Sequence, residues 1–198
     1  MSFSGVSIVG AGPVSGAIAV AIARIGTPVT IVRAAHADLD RVLTRIDRRL
    51  GWEVDAGALT PAEREVVRAR IDVATDWSTL AGSDLVIEST AGDAKSRRAL
   101  LATIEASLSG GSVLAANASA HHLPALAEVL RRRDQFVGMR FFHPATPASL
   151  VELGLLADTA PGVAAACRAF SSWLSKDLVV RAEGQPRIGY REYLLGSA

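Results

Sequence analysis

The sequence is poor in the residues that staple, stack or span. One cysteine, Cys167, stands in 198 residues, so no internal disulfide can form and the expected compartment is a reducing one. Cys167 sits in the apolar stretch "VAAACRAF", where a small buried filler is the expected role. Aromatic residues make up 5% of the chain, too few for stacking platforms along a single-stranded nucleic acid. The net charge is +1, so no overall field favours nucleic acid or an anionic membrane. The densest run of one sign is "LRRRD" at Arg131 to Arg133, expected as a solvated helix end that complements the helix dipole. No apolar run approaches the roughly 20 residues a membrane-crossing helix needs. The opening "MSFSGVSIVG" has neither the basic flank nor the cleavage site of a signal peptide. A cytoplasmic protein, with neither nucleic acid nor membrane as partner, is the expectation.

What is present is a regular alternation. Hydrophobic residues make up 49% of the chain, concentrated in short runs: "VSIV", "TPVTIV", "IDVA", "SDLVIEST", "SVLAAN", "FVGMRFF", "LVELG" and "DLVVRA". Between them lie segments of helical spacing, such as Leu39, Val42, Leu43, Ile46 and Leu50. Thr60, Pro61 and Glu63 form a helix-start signature. Helices are also expected from about Asp93 to Leu108, over "LPALAEVLRRR", and from Ala160 to Ser175. Apolar strands alternating with helices predict an α/β fold, a doubly wound and mostly parallel sheet of the Rossmann dinucleotide-binding type. Residues 1–182 are expected to form that domain, and 183–198 a C-terminal tail.

The first strand runs into "GAGPVSG" and then into an Ala-rich helix, the context that gives a glycine loop meaning. Gly10 suits the tight turn and Gly12 the close approach of a pyrophosphate. Pro13 starts the helix without losing a hydrogen bond, and Val14 and Ser15 complete the cradle at the helix N-terminus. Ser15 holds the position of the third glycine. The second strand ends in Arg33, with His36 close behind, where an acidic residue would bond a ribose 2′-hydroxyl. A cation there suits a 2′-phosphate, so NADP(H) is favoured over NAD(H).

Several stretches together give the chain a family likeness. "IVGAGPVSGAIA", "SDLVIEST", "NASA" at Asn117 to Ala120, "FVGMRFFHP" at Phe136 to Pro144, "LVEL" with Glu152, and "GQPRIGYRE" occur in order over nearly the whole chain. In combination they resemble the NAD-binding domain of the 3-hydroxyacyl-CoA dehydrogenase family. The resemblance implies hydride transfer between a nicotinamide and C3 of an acyl thioester. It gives Ser119 the oxygen-binding role and Glu152 the role of orienting the general acid/base. It also puts Thr90, Arg97 and Asn117 on the cofactor side. The chain departs from the family where the chemistry is done. Arg140 stands at the position of the catalytic His, His143 at that of the neighbouring Asn, and Arg191 near another substrate-side Asn. The family's C-terminal helical domain has no counterpart in these residues, which makes 183–198 a remnant of the link to it.

Arg140 stays protonated near neutral pH and cannot act as a base, although it can stabilise negative charge on an oxyanion or on Glu152. His143 can titrate near pH 7 and is the candidate proton donor, a cofactor-side or structural His being the other reading. Strand alternation puts Arg140 and Phe142 on one face. His121 and His122 are expected as exposed helix-entry residues, with no metal site. Two readings follow: an NAD(P)(H)-dependent oxidoreductase of a 3-oxo/3-hydroxy acyl thioester or small carbonyl in fatty acid metabolism, or a catalytically inactive cofactor- or partner-binding paralogue. A variant of the first has a homo-oligomer or a partner chain completing the cleft.

Overall fold

A computed structural model describes residues 3–33, 39–142, 150–174, 177–186 and 189. Two of the sequence candidates, His143 and Arg191, lie outside the described residues, as does His36. The elements run β1 (Val6–Val9), α1 (Pro13–Arg24), β2 (Val29–Val32), α2 (Leu39–Asp55), α3 (Pro61–Arg68), β3 (Ile71–Ala74), β4 (Leu85–Glu88), α4 (Ala94–Ala106), β5 (Val113–Ala116), α5 (Leu123–Ala127), β6 (Phe136–Phe141), β7 (Leu150–Leu155), α6 (Pro161–Leu174) and β8 (Asp177–Ala182). The strands form one sheet in the order β3-β2-β1-β4-β5-β6-β7-β8. All neighbours are parallel except β6 and β7. This is the doubly wound, mostly parallel α/β sheet that the alternation predicts.

Strand periodicity sends alternate residues to opposite faces, and both faces are covered. Ile31, Ile8, Ile87, Ala115 and Val137 lie in register across five strands and are fully buried on the face that packs α1, α2 and α6. Burying each Ile contributes roughly 2 kcal/mol. One position further along, Val9 and Val32 join the second cluster, packed by α4 and α5. The chain reverses between β1 and β4, which leaves a crevice at the strands' C-terminal ends, where ligands of such sheets bind.

The row that ends at this crevice is unusual in composition. Val9 pairs with Glu88, Glu88 with Ala116, Ala116 with Gly138, and Gly138 with Gly154. The small residues make a seat. A Cβ on Gly138 would lie 2.8 Å from the Ala118 carbonyl oxygen, and one on Gly154 would lie 2.8 Å from Leu123 Cδ1 and 2.9 Å from Ala120 Cα. The segment after β5 therefore lies directly on the sheet, and its two glycines are required by contact rather than by backbone angle.

The expected helix over "LPALAEVLRRR" is shorter in the structure. A 3-10 turn, Ala120–His122, leads into α5, which ends at Ala127. The Arg run lies beyond the helix, because the Glu105 carboxylate accepts hydrogen bonds from the Arg131 and Arg132 amides. The Arg132 guanidinium donates to the Ser109 and Gly110 carbonyls at 2.9 and 3.0 Å. This run is thus a clasp on the loop after α4, not a solvated helix end.

Candidate functional site

The glycine loop has the geometry its sequence predicts. Gly10 has φ +128°, and a Cβ there would lie 2.5 Å from the Ser89 carbonyl oxygen, so only glycine fits. Gly12 is different. A Cβ there would meet nothing within 4 Å, so no protein contact demands its glycine, and the open space suits a ligand approaching the backbone. Gly12 caps α1 without a side-chain hydrogen bond, and Pro13 follows. Helix geometry leaves the Val14 and Ser15 amides without intrahelical acceptors, so the N-terminus of α1 offers donors for a phosphate. The Val14 side chain packs against the core. Ser15 is fully buried, and its hydroxyl donates to the Ser89 carbonyl at 3.2 Å. Its side chain therefore ties α1 to the end of β4. These features fit a dinucleotide's pyrophosphate.

A cleft of about 580 Å³ opens beside this loop, lined among others by Gly10, Gly12, Pro13, Ser89 and Thr90. Arg33 lines it, as do Arg41 and Arg45 of α2 and Trp77. The Arg45 guanidinium donates to the Ala11 carbonyl at 3.0 Å. Sequence reasoning found Arg33 and missed the other three. The signal for the two arginines was there: they are four residues apart on one face of α2, beside the buried stripe of Val42, Ile46 and Leu50. Trp77 lies in a 3-10 segment, Trp77–Gly82, that no periodicity announces.

The far side of the cleft is built on a buried carboxylate. Glu88 is fully buried at the end of β4. It accepts from the Thr90 amide at 2.8 Å, from the Thr90 hydroxyl, and from the Arg97 guanidinium. Arg97 also donates to the Asn117 carbonyl at 3.4 Å. Asp93 caps α4 by accepting from the Ser96 amide at 2.7 Å. That amide, then the Ser96 hydroxyl, holds the Asp93 carboxyl below its ordinary range. The Asn117 side chain is used at both ends: its amide nitrogen donates to the Ser89 hydroxyl at 3.1 Å, and its oxygen accepts from the Phe141 amide at 3.1 Å. Thr90, Arg97 and Asn117 therefore lock the ends of β4, β5 and β6 together.

The remaining candidates gather next to that lock. Ser119 follows β5 and is buried, with its hydroxyl 3.0 Å from Nδ1 of His122. Glu152, also buried, accepts from the Ala120 amide at 2.9 Å and from the Arg140 guanidinium at 3.3 Å. Arg140 faces Glu152 across β6 and β7 and lies 4.2 Å over the Phe142 ring, on the face that alternation predicts. Ser119–His122 and Arg140–Glu152 are thus two pairs, joined through the Ala120 amide that Glu152 holds. The His122 partnership was not foreseen from the sequence, although a His three residues after Ser on a tight turn was a usable signal. Among the described residues no cluster of His, Cys, Asp or Glu could hold a metal ion, and no helix is long and apolar enough to cross a membrane.

Comparison with known proteins shows the family and the fold. The family model described as 3-hydroxyacyl-CoA dehydrogenase, NAD binding domain, matches residues 5–184. The chain is 33% identical over 147 residues to the fatty acid oxidation complex subunit alpha of Psychrobacter cryohalolentis, covering 74% of this chain and 20% of that protein. It therefore spans about a fifth of the length of this curated relative. Among solved structures, FadB2 of M. tuberculosis superposes with a TM-score of 0.89 at 28% identity, over 100% of this chain and 71% of that one. The (S)-3-hydroxybutyryl-CoA dehydrogenase PaaH1 of Ralstonia eutropha gives 0.87 at 28% identity, over 100% and 74%.

Proposed function

Because this chain belongs to the family of 3-hydroxyacyl-CoA dehydrogenase NAD-binding domains, we propose that it is the cofactor-binding part of an oxidoreductase. It would move a hydride between a nicotinamide dinucleotide and C3 of a 3-oxo or 3-hydroxy acyl thioester, or a related small carbonyl. The nicotinamide supplies or accepts the hydride. The chain's own residues bind and orient: the α1 N-terminus takes the pyrophosphate, and the Ser119 hydroxyl holds the reacting oxygen. Arg140 adds positive charge to that site, and Glu152 holds Arg140. His143 stays a proposed proton source on sequence grounds.

NADP(H) is the proposed cofactor, ahead of NAD(H). The observation that carries this choice is that Arg33, Arg41 and Arg45 line one cleft beside the glycine loop. Three cations, with no acidic residue among the described residues of the lining, suit a 2′-phosphate better than a bare ribose. Calorimetric titration with NADPH and with NADH tests it. Tighter NADPH binding that Arg33→Asp removes is the expected result, and an NADH preference in the unaltered protein would sink the choice.

The second reading, a cofactor- or partner-binding paralogue without catalysis, is favoured by the Arg140–Glu152 ion pair. It fills the family's acid/base position with a group that does not release its proton. In a variant of the first reading a second copy or a partner chain completes the cleft, in the cytoplasm by expectation, and the mass in solution tests it.

A further inference from the structure

The family's acid/base position holds an arginine, yet a titratable ring touches the hydroxyl that the family resemblance makes the oxygen ligand. We propose that His122 takes over the proton transfer, acting through Ser119. The proposal rests on the oxidoreductase reading above.

The geometry behind it is built, not incidental. Ser119 Oγ and His122 Nδ1 are 3.0 Å apart. Ser119 is buried, whereas His122 is exposed, so the pair spans from the site's wall to solvent. The 3-10 turn between them is held on the sheet by the Glu152 bond to the Ala120 amide and by the Gly138 and Gly154 seat under Leu123 and Ala120. The hydroxyl is thereby fixed and the ring that serves it can exchange protons with water.

The step balances in the reductive direction. A C–H bond forms at the carbonyl carbon with the hydride that the reduced nicotinamide supplies, and the carbon–oxygen π bond breaks. The oxygen takes the Ser119 hydroxyl proton. Ser119 Oγ is reprotonated from Nδ1 of the His122 imidazolium, which becomes neutral imidazole and regains a proton from water. The oxidative direction runs the same transfers in reverse, with neutral Nδ1 accepting the serine proton.

The titratable and charged groups on the turn and on the elements next to it come from five places. His121, on the same turn, has its ring centroid 5.2 Å away. From β7 comes Glu152, already paired with Arg140 of β6. At the end of α5 Glu128 pairs with Arg98 of α4 at 3.3 Å. Both of these carboxylates carry a cation partner.

The test uses the full chain with NADPH and acetoacetyl-CoA. Reduction by the unaltered protein should fall as pH rises through the imidazole range, between about pH 5 and 8, because the protonated ring is the donor. In His122→Gln the side-chain amide can still bond Ser119 but carries no exchangeable charge. The expected result is a drop in kcat of about 100-fold and loss of that pH limb, with NADPH affinity unchanged. Without substrate, Ser119→Ala should shift the Nδ1 resonance of His122 in the 15N spectrum. Unaltered kcat and an intact pH limb in His122→Gln would overturn the relay and leave the oxidoreductase reading standing. Tight NADPH binding with no turnover in the unaltered protein would overturn both.

Discussion

Arg140 and Glu152 stand directly opposite each other across the antiparallel β6–β7 pair, and the guanidinium donates to the carboxylate at 3.3 Å. The other carboxylate oxygen accepts from the Ala120 amide at 2.9 Å. One buried carboxylate therefore joins β6, β7 and the turn that carries Ser119. Where the family resemblance puts a titratable His beside Glu, this chain has a permanent ion pair.

Glu152→Ala should leave a largely buried cation and a backbone amide without their acceptor. The expected loss of stability is roughly 2–3 kcal/mol, below the full cost of breaking a buried pair because Arg140 remains partly exposed. Urea denaturation measures it. The double variant Arg140→Ala/Glu152→Ala should lose less than the sum of the two single changes. Additive losses would mean the pair does not couple.

Gly154→Ala should disturb the same turn by steric contact alone. Its Cβ would lie 2.8 Å from Leu123 Cδ1 and 2.9 Å from the Ala120 backbone. Overpacking of this kind costs roughly 1–3 kcal/mol, and the turn should lift, moving the His122 ring resonances. Gly110→Ala, whose Cβ would meet nothing within 4 Å, is the control. Equal stability of the two variants would refute the seat.

Cys167 should be inert in the folded protein. It is fully buried on α6, and burial pushes its thiol up to about 12. A thiol-specific reagent should label it only after unfolding. The linkage sign follows from the raised value. The unfolded chain ionises above about pH 8.5 while the folded chain does not, so this stability is complete below that pH and falls as pH rises. At one pH unit above the unfolded value the loss is about 1.4 kcal/mol. Thermal melts between neutral and alkaline pH should show a steeper decline in the unaltered protein than in Cys167→Ala, and equal slopes would count against it.

Much of the fold is legible in the chain because its signals are local. Strand and helix periods differ, so the runs "VSIV" and "SDLVIEST" and the Val42, Ile46, Leu50 stripe declare their elements. The capping box predicted at Thr60 forms, with the Glu63 amide bonded to the Thr60 hydroxyl at 3.2 Å and the Glu63 carboxylate returning to the Thr60 amide at 2.7 Å. The α5 helix was the misreading. Its extension through "EVLRRR" obeys helical spacing, but Glu105, more than twenty residues away, captures the amides that would have continued it. Propensity yields there to a tertiary hydrogen bond.

The sequence by itself determined the alternation of elements, the glycine loop and the cation at the end of β2. Each is a matter of residue type and short spacing. The tertiary structure decided which distant residues share a site. The register across β4, β5, β6 and β7 aligns Glu88, Ala116, Gly138 and Gly154, and the small side chains let the Ser119 turn lie on the sheet. That seat brings His122 within hydrogen-bond reach of Ser119 and brings Ala120 to Glu152. The packing of α2 against α1 aims Arg41 and Arg45 into the cleft. These relations depend on strand order and packing distance, of which the local spacings of Ser119 with His122 and of Arg41 with Arg45 are only a part.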